Sequence, residues 1–541
     1  MERNQPSIFN DVIGPVMRGA SSSHCAASVR IGRLAHSLMG GHIDTVLAEF
    51  DQSGSLATTH ESQGSDMGLV GGFLGWDLTD ERLLEFQRGA EEAGLQFEVR
   101  ITHFDTKSPN IYKLTLQNGS DVHQMVADSV GGGMIEVTEI DGVPLWLDGG
   151  RHETLLYFKG DGSDLVARLD SEVTAEEVYL RTARPRSESS MTDGDRSLKV
   201  LPAQLVQVRG SSFLDPELER ELQQDFGVVD IRRMSPVLPV QGALNIKLPF
   251  TTCEQMLAYN ESRSLSLWEL ALHYESARSG MDHERVFSEM REVVEIMRTA
   301  IELGLEGTQY HDRILPCQTP AFQQKLAAGA LLDGGMLNSM ILQVSAMMEV
   351  KSSMGVIVAA PTAGACAGLP AAVIAAGQHM NMSIDEMTRG MLAAGMVGIF
   401  IATRSTFAAE VGGCQAECGA GSGMAAAALV TMMSGTAHQA VSGSSMALQS
   451  TLGLICDPVA GRVEVPCLGR NVLAASNALS CANMALAGFD AVIPLDEVID
   501  AMDRIGRSMP CELRCTCLGG LSTTKTSKAI EGKLKACAKH P

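Results

Sequence analysis

Three cysteines in the C-terminal half stand in segments typical of turns. Cys414 follows two glycines, Cys456 precedes Asp-Pro, and Cys467 follows a proline. Thiolates on loops that meet at one place could hold three irons of a [4Fe–4S] cluster and leave the fourth iron open. A second interpretation stays open, because a buried cysteine in an alanine-rich core commonly serves as a small hydrophobic residue. No CxxC pair of the zinc or ferredoxin type supports the first interpretation.

The distribution of cysteines along the chain is uneven. Of 13 cysteines, only Cys25 lies before residue 240, and the others begin at Cys253. A disulfide framework belongs to small secreted domains, and the first residues contain no apolar signal segment. We therefore expect a cytoplasmic protein with a soft-metal site in its C-terminal half. Three further cysteines are predicted to be structural: Cys418, Cys481 and Cys511.

The charge balance bears on possible partners. The chain has 42 Lys and Arg against 64 Asp and Glu, which gives a formal net charge of -22. Neither nucleic acid nor an anionic membrane surface is an expected partner of such a chain. The uncharged runs 352–384 and 418–456 are rich in alanine and poor in leucine, and the first contains two prolines. They indicate close-packed soluble helices rather than membrane spans.

The chain divides into three regions of different composition, and the structural elements in these regions are expected to position the cysteines. Together the three regions predict an α+β multidomain protein. Residues 1–150 combine strand patterns with helix patterns and contain a Gly-Gly-Gly turn at 131–133, which predicts an α/β domain. Residues 241–541 are dominated by Ala, Gly, Met and Leu with helical periodicity, which predicts an all-helical domain. The predicted elements are strands 46–50, 97–102 and 111–116 and helices 27–39, 81–93, 330–348 and 424–433.

Residues 151–240 follow a third pattern. Strands and helices alternate in the order β-α-β-β-α-β, which is the order of the ferredoxin-like split unit. The predicted elements are strand 153–158, helix 164–171, strands 178–184 and 198–208, helix 216–225 and strand 228–233.

An ordered set of motifs across nearly the whole chain resembles the iron–sulfur-dependent L-serine dehydratases, also called L-serine ammonia-lyases. The C-terminal motifs are Ala360-Pro361-Thr362-Ala363-Gly364-Ala365-Cys366, Gly412-Gly413-Cys414-Gln415-Ala416-Glu417, Cys456-Asp457-Pro458, Val465-Pro466-Cys467 with Arg470-Asn471, and Gly519-Gly520-Leu521. The N-terminal motifs are Ile13-Gly14-Pro15, Ser21-Ser22-Ser23-His24, Gly54-Ser55-Leu56-Ala57, Gly64-Ser65-Asp66 and Ser129-Val130-Gly131-Gly132-Gly133.

The resemblance implies a fused chain of a β domain, an ACT domain and a helical α domain. It implies that Cys414, Cys456 and Cys467 bind a [4Fe–4S] cluster whose open iron binds the substrate. The implied reaction converts the amino acid L-serine to pyruvate and ammonia by Lewis-acid β-elimination, without pyridoxal phosphate. It also implies a homodimer, because ACT domains commonly pair.

The resemblance further suggests catalytic and substrate-binding residues. His24 is the candidate base or proton relay, and its alternative role is to fix the structure of its loop. The hydroxyl groups of this loop are candidates to bind the substrate carboxylate, and they belong to Ser21, Ser22 and Ser23. Ser23 is also a candidate catalytic residue. The three hydroxyl groups could equally cap the following helix.

The C-terminal motifs add four substrate-pocket candidates. Thr362 and Gly364 are expected to line the pocket, and their alternative role is to form a tight turn between helices. Arg470 and Asn471 could bind a carboxylate or orient a thiolate, and a structural ion pair is the alternative.

Departures from the family pattern leave the substrate open. Cys25 replaces a threonine, Gly469 replaces a glutamate beside Cys467, and Cys515-Thr516 stands where Glu-Thr is usual. Either Cys515 or Cys537 could reach the cluster. One alternative function is therefore the same reaction on L-cysteine, L-threonine or another β-substituted amino acid. A second alternative is that the protein is an amino-acid or redox sensor.

Overall fold

The computed structural model describes residues 5–104, 106, 108–172, 175–183, 202–243, 246–310 and 312–538. Side chains are described up to residue 534. Within these ranges the chain forms a six-stranded sheet with helices, a four-stranded sheet with two helices, and a large helical part. No helix in the described ranges combines the length and the apolar character needed to cross a membrane.

The N-terminal sheet has the strand order β3-β2-β4-β5-β6-β7. Only β2 and β3 pair in parallel, and the other neighbours are antiparallel. Two helices, α1 and α3, pack closely against each other beside this sheet. The elements are β1 (Val16–Met17), α1 (Ala27–Leu38), β2 (Thr45–Asp51), α2 (Leu56–Thr59), α3 (Ser65–Phe73), α4 (Phe86–Ala93), β3 (Gln96–Thr102), β4 (Ile111–Asn118), β5 (Asp121–Gly131), β6 (Met134–Ile140) and β7 (Val143–Leu147).

Glycines allow the close approach of α1 and α3. A Cβ atom on Gly32 would lie 2.7 Å from the Leu69 carbonyl oxygen and 2.8 Å from the Cα of Gly72. We therefore expect Gly32→Ala to lower the free energy of unfolding by about 1–3 kcal/mol, because the backbones must separate. Gly532→Ala is the matched control, since Gly532 is exposed and its added Cβ would meet nothing within 4 Å.

The control change should leave the melting temperature unchanged or raise it slightly, because alanine favours helix over glycine by about 1 kcal/mol. Thermal unfolding followed by circular dichroism compares the two variants. Equal melting temperatures for both would contradict the close-packing argument.

The second sheet has the order β11-β8-β10-β9, and all its pairs are antiparallel. Its connectivity is β-α-β-β-α-β, so the predicted ferredoxin-like order is present. One face packs on its two helices around Leu156 and Phe158, and the other contributes Leu155, Tyr157 and Leu205 to the N-terminal core. The elements are β8 (His152–Phe158), α5 (Ser163–Asp170), β9 (Glu177–Thr182), β10 (Gln204–Gly210), α6 (Pro216–Asp225) and β11 (Val228–Met234).

The C-terminal part is built around α15, whose residues are all buried. Alanines and glycines let α12, α13, α16 and α17 pack around it. The elements are α7 (Cys253–Asn260), α8 (Leu267–Ser279), α9 (His283–Glu306), α10 (Thr319–Ala327), α11 (Met336–Ser352), β12 (Ile357–Val358), α12 (Gly368–His379), α13 (Ile384–Arg404), α14 (Ala409–Gly412), α15 (Cys418–Met432), α16 (Ala437–Gln449), α17 (Cys467–Leu486), α18 (Leu495–Ser508) and α19 (Lys525–Ala538).

Residues 8–12 belong to the core of this helical part. Ile8 and Val12 lie in a short helical turn against α13, where Gly395 and Gly398 leave space for them. Strand β1 pairs with β12 in an antiparallel two-stranded sheet. This sheet anchors the N-terminal loop to the loop that precedes Thr362.

Several predicted elements need correction. The all-helical prediction for residues 241–541 is wrong at β12. This short strand forms because its backbone pairs with that of β1 in the N-terminal part. The helix predicted at 330–348 begins only at Met336, after a bend at Gly334 and Gly335. Helix 81–93 is divided into a tight turn of helix, Glu81–Glu85, and α4.

Strand β10 begins at Gln204, later than the predicted residue 198. Residues 184–201 lie outside the described ranges, so the start of that prediction is not addressed. The domain boundaries 1–150, 151–240 and 241–541 stay predictions.

Candidate active site

Five buried cysteines lie together between the loops of the helical part. Cys414, Cys418, Cys456 and Cys515 belong to one buried cluster, each no more than 5% exposed. Cys467 is also buried and is close enough to Cys414 for the two thiols to affect each other's charge. The three cysteines predicted as ligands are therefore neighbours, and two more thiols lie among them. We call these five residues the thiol group.

The turn that carries Cys414 is fixed by its own neighbours. Gly413 has a φ of 72°, and a Cβ atom there would lie 2.7 Å from the Leu454 carbonyl oxygen. The Gln415 backbone N–H donates to that same oxygen at 3.1 Å, and the Gln415 side-chain oxygen accepts from Gly453 N–H at 2.9 Å. These bonds tie the Cys414 turn to the segment that leads into Cys456.

Cys515 is held beside Cys456 by the backbone. The Cys456 N–H donates to the Leu513 carbonyl at 2.8 Å, and the Cys456 carbonyl accepts from the Cys515 N–H at 2.9 Å. The two thiols hydrogen-bond to each other, and this contact together with burial raises the pKa of Cys456. The structure thus brings Cys515 into the thiol group, whereas the side chain of Cys537 lies outside the described residues.

Two cations face the thiol group. Arg470 donates from Nη2 to Asp457 Oδ1 at 2.5 Å and also hydrogen-bonds the Cys414 thiol. Hydrogen bonds from Cys418 and Arg470 lower the pKa of Cys414 to about 7. Arg470 therefore forms an ion pair, which was one of its predicted alternatives, and it also contacts the Cys414 thiol.

The second cation is Lys351, which is fully buried at the end of α11. Its ammonium donates to the carbonyl of Val463, which lies three residues before Pro466 in the turn that leads to Cys467. Burial raises the pKa of Cys467, and the nearby Lys351 charge partly offsets this effect. A buried ammonium beside buried thiols favours their thiolate form.

The chemistry of this donor set fits an iron–sulfur cluster. Thiolates on a single zinc ion lie about 2.3 Å from the metal and therefore within about 4 Å of one another. Among the residues that the structure describes, only His60, Glu61 and Asp66 bring three possible ligand atoms within 4.8 Å of one another. No three described thiols of the group therefore lie as close together as a single-ion site requires, although Cys456 and Cys515 form a hydrogen-bonded pair.

The N-terminal loops close over the thiol group. The Ser22 hydroxyl accepts from the Ala363 N–H at 3.3 Å, which joins the Ser-Ser-Ser-His loop to the loop of Thr362. The Ser55 hydroxyl donates to the Cys515 carbonyl at 3.3 Å. Residues more than 300 positions apart therefore meet at one place, as the motifs predict.

His24 is fully buried in the helical turn that leads into α1. Its Nε2 lies 2.8 Å from Thr59 Oγ1, and the Thr59 hydroxyl donates its hydrogen to the Ser55 carbonyl at 2.6 Å. Thr59 must then accept from Nε2–H, so the lone pair of His24 is on Nδ1, 3.1 Å from Ser21 Oγ. Burial lowers the pKa of His24 to about 3, and the imidazole is neutral at ordinary pH.

A carboxyl group lies next to the Nδ1 atom of His24. Glu410 Oε1 is 3.8 Å from Nδ1, and burial raises the pKa of Glu410. The Ser23 hydroxyl hydrogen-bonds Glu410, and the Ser23 carbonyl accepts from Ser129 Oγ at 2.7 Å. Ser23 therefore holds Glu410 in place beside His24.

A second buried carboxyl group lies at the loop of Thr362. The Thr362 hydroxyl donates to Glu417 Oε1 at 2.7 Å, and burial raises the pKa of Glu417 to about 8. A Cβ atom on Gly364 would lie 3.1 Å from the same carboxylate oxygen, so a glycine keeps the space beside Glu417 clear. Thr362 and Gly364 thus surround a carboxyl group that itself affects the charge of the Cys414 thiol.

Asn471 joins the Gly364 loop to Cys467. Its amide donates to the carbonyls of Gly364 at 2.8 Å and Cys467 at 2.9 Å, and its oxygen accepts from the N–H groups of Ala367 and Gly368. Because these backbone groups use both ends of the amide, the arrangement favours a positioning role over substrate binding.

Four residues in this site received no role from sequence reasoning: Glu410, Glu417, Lys351 and Thr59. Glu417 lay inside a quoted motif, and Lys351 immediately precedes a long uncharged run, which is an unusual place for a lysine. Cys418 was predicted to be structural, yet it lies in the thiol group. Nothing in the local sequence of Glu410 or Thr59 points to His24.

Comparisons with known proteins agree with the C-terminal motifs. Residues 262–522 match the family model described as "Serine dehydratase alpha chain". The chain is 36% identical over 285 residues to "Probable L-serine dehydratase, alpha chain" of Bacillus subtilis (strain 168), which covers 53% of this chain and 95% of that protein. It is 36% identical over 282 residues to "L-serine dehydratase, alpha chain" of Peptoniphilus asaccharolyticus, covering 52% and 96%.

A relative of greater length is also similar. The chain is 32% identical over 288 residues to "L-serine dehydratase 1" of Escherichia coli (strain K12), covering 52% of this chain and 63% of that protein. All three matches extend over about half of the present chain.

Proposed function

The chain belongs to the iron–sulfur-dependent L-serine dehydratase family, and from that premise we propose that it is a lyase that converts L-serine to pyruvate and ammonia. We propose further that a [4Fe–4S] cluster on Cys414, Cys456 and Cys467 takes part, without pyridoxal phosphate. The observation that carries this proposal is the meeting of the His24 loop, the Thr362 loop and the thiol group.

The cluster, when bound, supplies a Lewis acid at an iron with no protein ligand, which activates a hydroxyl as a leaving group. Cys414 is suited to bind it because hydrogen bonds already lower the pKa of its thiol. Cys456 and Cys467 lose their protons only when metal binds, so cluster assembly releases protons. The Arg470 and Lys351 cations balance part of the resulting negative charge.

His24 is proposed to take the α-proton of the substrate at Nδ1. This nitrogen carries the lone pair because Nε2–H is directed to Thr59. Ser21 Oγ, 3.1 Å away, lies within reach to relay the proton. Glu410, once ionised, stabilises the imidazolium that forms next to it.

The Ser22 hydroxyl is proposed to bind the substrate carboxylate. Its oxygen accepts from the Ala363 N–H, and its own hydrogen is left to donate. Loss of the α-proton and of hydroxide gives aminoacrylate and water. Aminoacrylate then tautomerises, and hydrolysis of the imine releases pyruvate and ammonia.

The test of this function combines metal analysis with an assay of one anaerobic sample. We expect about four irons per chain, an equal amount of sulfide, and pyruvate and ammonia released in equal amounts from L-serine. Pyridoxal phosphate absorbance is not expected. A full cluster without pyruvate from L-serine would contradict the substrate proposal, and activity in a sample free of iron would contradict the cluster proposal.

Other β-substituted amino acids are a second candidate class of substrate. The observation behind this class is Gly469, two residues after Cys467, which replaces a glutamate of the family pattern. Gly469 is exposed and a Cβ atom there would meet nothing within 4 Å, so this position supplies no carboxylate beside Cys467. L-Cysteine, L-threonine and other β-substituted amino acids are therefore the panel to compare with L-serine by ammonia release.

We also propose that the β8–β11 unit is an ACT domain and that the protein is a homodimer. The strand order supports this, because β9 and β11 each have one edge that pairs with no other strand in the described part of the chain. Open edges of this kind suit pairing between two copies of the unit.

A further inference from the structure

Glu417 has one carboxyl oxygen that the protein itself does not use. The Thr362 hydroxyl donates to Oε1 at 2.7 Å, and within the described part of the chain the carboxyl group has no further hydrogen bond and no ion pair. The residue is partly accessible, and Oε2 is not among the enclosed atoms that lack a partner. Oε2 therefore faces accessible space.

The other acidic side chains of the site offer no such oxygen. Glu410 is buried, and its Oε2 atom is enclosed. Asp457 Oδ1 accepts from Arg470, and its Oδ2 accepts from the Leu521 N–H at 2.8 Å. Among the described acidic residues of the site, Glu417 is therefore the one that can accept from a ligand.

The surroundings of this carboxyl group lack a positive partner. Lys351 is near enough to affect the charge of Glu417, but its ammonium donates to the Val463 carbonyl. Burial raises the pKa of Glu417 to about 8, and a cation in contact with Oε2 offsets this effect, because an opposite charge favours the ionised carboxylate. Gly364 leaves both oxygens uncovered on its side, since a Cβ atom there would lie 3.1 Å from Oε1 and 3.4 Å from Oε2.

The loop of Thr362 holds both this carboxyl group and the Ser22 hydroxyl. Thr362 bonds Glu417, and the next residue, Ala363, donates its N–H to Ser22 Oγ at 3.3 Å. Consecutive Cα atoms lie about 3.8 Å apart, so neighbouring positions of one loop hold the two groups. His24 follows Ser22 by two residues in the same helical turn. An acceptor for a cation, a donor for a carboxylate and a candidate base thus lie around one place.

We infer that Glu417 binds the α-ammonium group of the substrate through Oε2. The inference rests on the proposed function in one respect, that the substrate is an α-amino acid whose carboxylate binds Ser22. An ammonium donates charge-assisted hydrogen bonds, and an ionised carboxylate is a strong acceptor for them. Hydroxy acids without an amino group cannot form this bond, so Glu417 restricts the site to amino acids.

The same contact also selects one configuration of the substrate. When the ammonium and the carboxylate of an amino acid are bound, its α-carbon has two further substituents, the hydrogen and the side chain. One enantiomer then directs its α-hydrogen toward His24, and the other directs its side chain there. Proton transfer to His24 is therefore open to one enantiomer only.

The test compares two ligands that differ by the amino group, L-alanine and propionate. Neither has a β-leaving group, so neither is consumed, and equilibrium dialysis of radiolabelled samples against the anaerobically purified full chain measures both dissociation constants. The unaltered protein should bind L-alanine at least tenfold more tightly than propionate, because a hydrogen bond between charged groups contributes about 10–100-fold in affinity. Glu417→Gln should weaken the binding of L-alanine at least tenfold and change that of propionate less than threefold.

Glu497→Gln is the matched control, because it removes the same charge from an exposed glutamate in the first turn of α18. Both of its dissociation constants should equal those of the unaltered protein. Thr362→Val is a second variant, since it keeps the shape of the side chain and removes the hydrogen bond that orients Glu417. It should weaken L-alanine at least threefold more than propionate. If Glu417→Gln fails to fold or to retain iron, Thr362→Val decides alone.

Three results would overturn the inference. They are no binding of either ligand, equal binding of both by the unaltered protein, and an equal loss of both in Glu417→Gln with its iron retained, as a merely structural role would give. Pyruvate formation from L-serine is measured on the same samples. Discrimination that disappears in Glu417→Gln, in a protein that forms no pyruvate, supports the inference and contradicts the proposed function. Pyruvate formation with unchanged discrimination in this variant contradicts the inference alone.

Discussion

Replacement of Cys456 by serine is expected to remove most of the iron from the anaerobically purified protein and to lower pyruvate formation at least about 100-fold. Serine is a poor ligand for iron in such clusters, and the loss of a Lewis acid removes several kcal/mol of transition-state stabilisation. Cys456 is the cysteine whose backbone is bonded on both sides, to Leu513 and Cys515. Its position should therefore be preserved in the variant, so the effect reports on the sulfur.

Cys481→Ser is the matched control for this experiment. Cys481 is also buried in the helical part, but its thiol contacts Asn477 in α17 and does not belong to the thiol group. Iron content and activity of the control should stay within about twofold of the unaltered protein. A buried cysteine that binds no metal contributes mainly a small side chain to the packing, and serine is of similar size. Equal iron in the Cys456 and Cys481 variants would refute the proposed ligand set.

Cys515→Ser addresses a different question at the same place. Its thiol hydrogen-bonds that of Cys456, so it is near enough to approach the cluster although it is not one of the three proposed ligands. We expect iron content to be retained and the electron paramagnetic resonance spectrum of the reduced cluster to change. An unchanged spectrum would show that Cys515 does not reach the cluster.

Local patterns were sufficient to predict the elements that depend on local periodicity. The bounds of β2, β3, β4 and α1 lie within two residues of the predicted ones. These predictions use only the alternation or the helical spacing of apolar residues that are close in sequence. The ferredoxin-like order was predicted for the same reason. Strand β12 was missed, because two residues form a strand only when β1, more than 300 residues earlier, pairs with them.

In the candidate active site, too, some features follow from the local sequence and others depend on distant residues. The motif cysteines could be found because glycine and proline mark their turns. The contacts that give them chemical character come from distant residues. Lys351 donates to the Val463 carbonyl near Cys467, and Glu410 lies beside His24 although more than 380 residues separate them in the sequence. Such contacts depend on tertiary packing, and no spacing rule in a single sequence specifies them.

Replacement of His24 by asparagine is expected to lower kcat/KM for L-serine by about 10²–10⁴-fold with the iron content unchanged. Asparagine can keep a hydrogen bond to Ser21, but it cannot accept a proton, and loss of a general base costs this much. Iron should stay because the contacts of the His24 imidazole within the described part of the chain are with hydroxyl groups and Glu410. The matched control is His36→Asn in α1, the helix that follows the His24 turn, where the imidazole bonds the Phe73 carbonyl at 2.7 Å.

The pH dependence of activity and of stability follows from the lowered pKa of His24. Since burial lowers the pKa of His24 to about 3, its proton-accepting form is complete above that pH. The activity of the unaltered protein should therefore show no inflection near the ordinary histidine value of about 6.5 that belongs to His24. The unfolded chain does bind a proton there, so the contribution of His24 to stability declines as pH falls from about 6.5 toward 3.

A purely structural role of His24 is distinguished by the properties of the His24→Asn variant. His24→Asn would then lower the melting temperature and leave kcat/KM within about threefold of the unaltered protein, as is expected for the His36 variant. Glu410→Gln adds a second measurement, because it keeps the size of the side chain and removes the carboxyl group whose ionised form is proposed to stabilise the imidazolium 3.8 Å away. A fall in kcat with little change in KM for both His24→Asn and Glu410→Gln assigns the pair to proton transfer, since substrate binding would depend on neither.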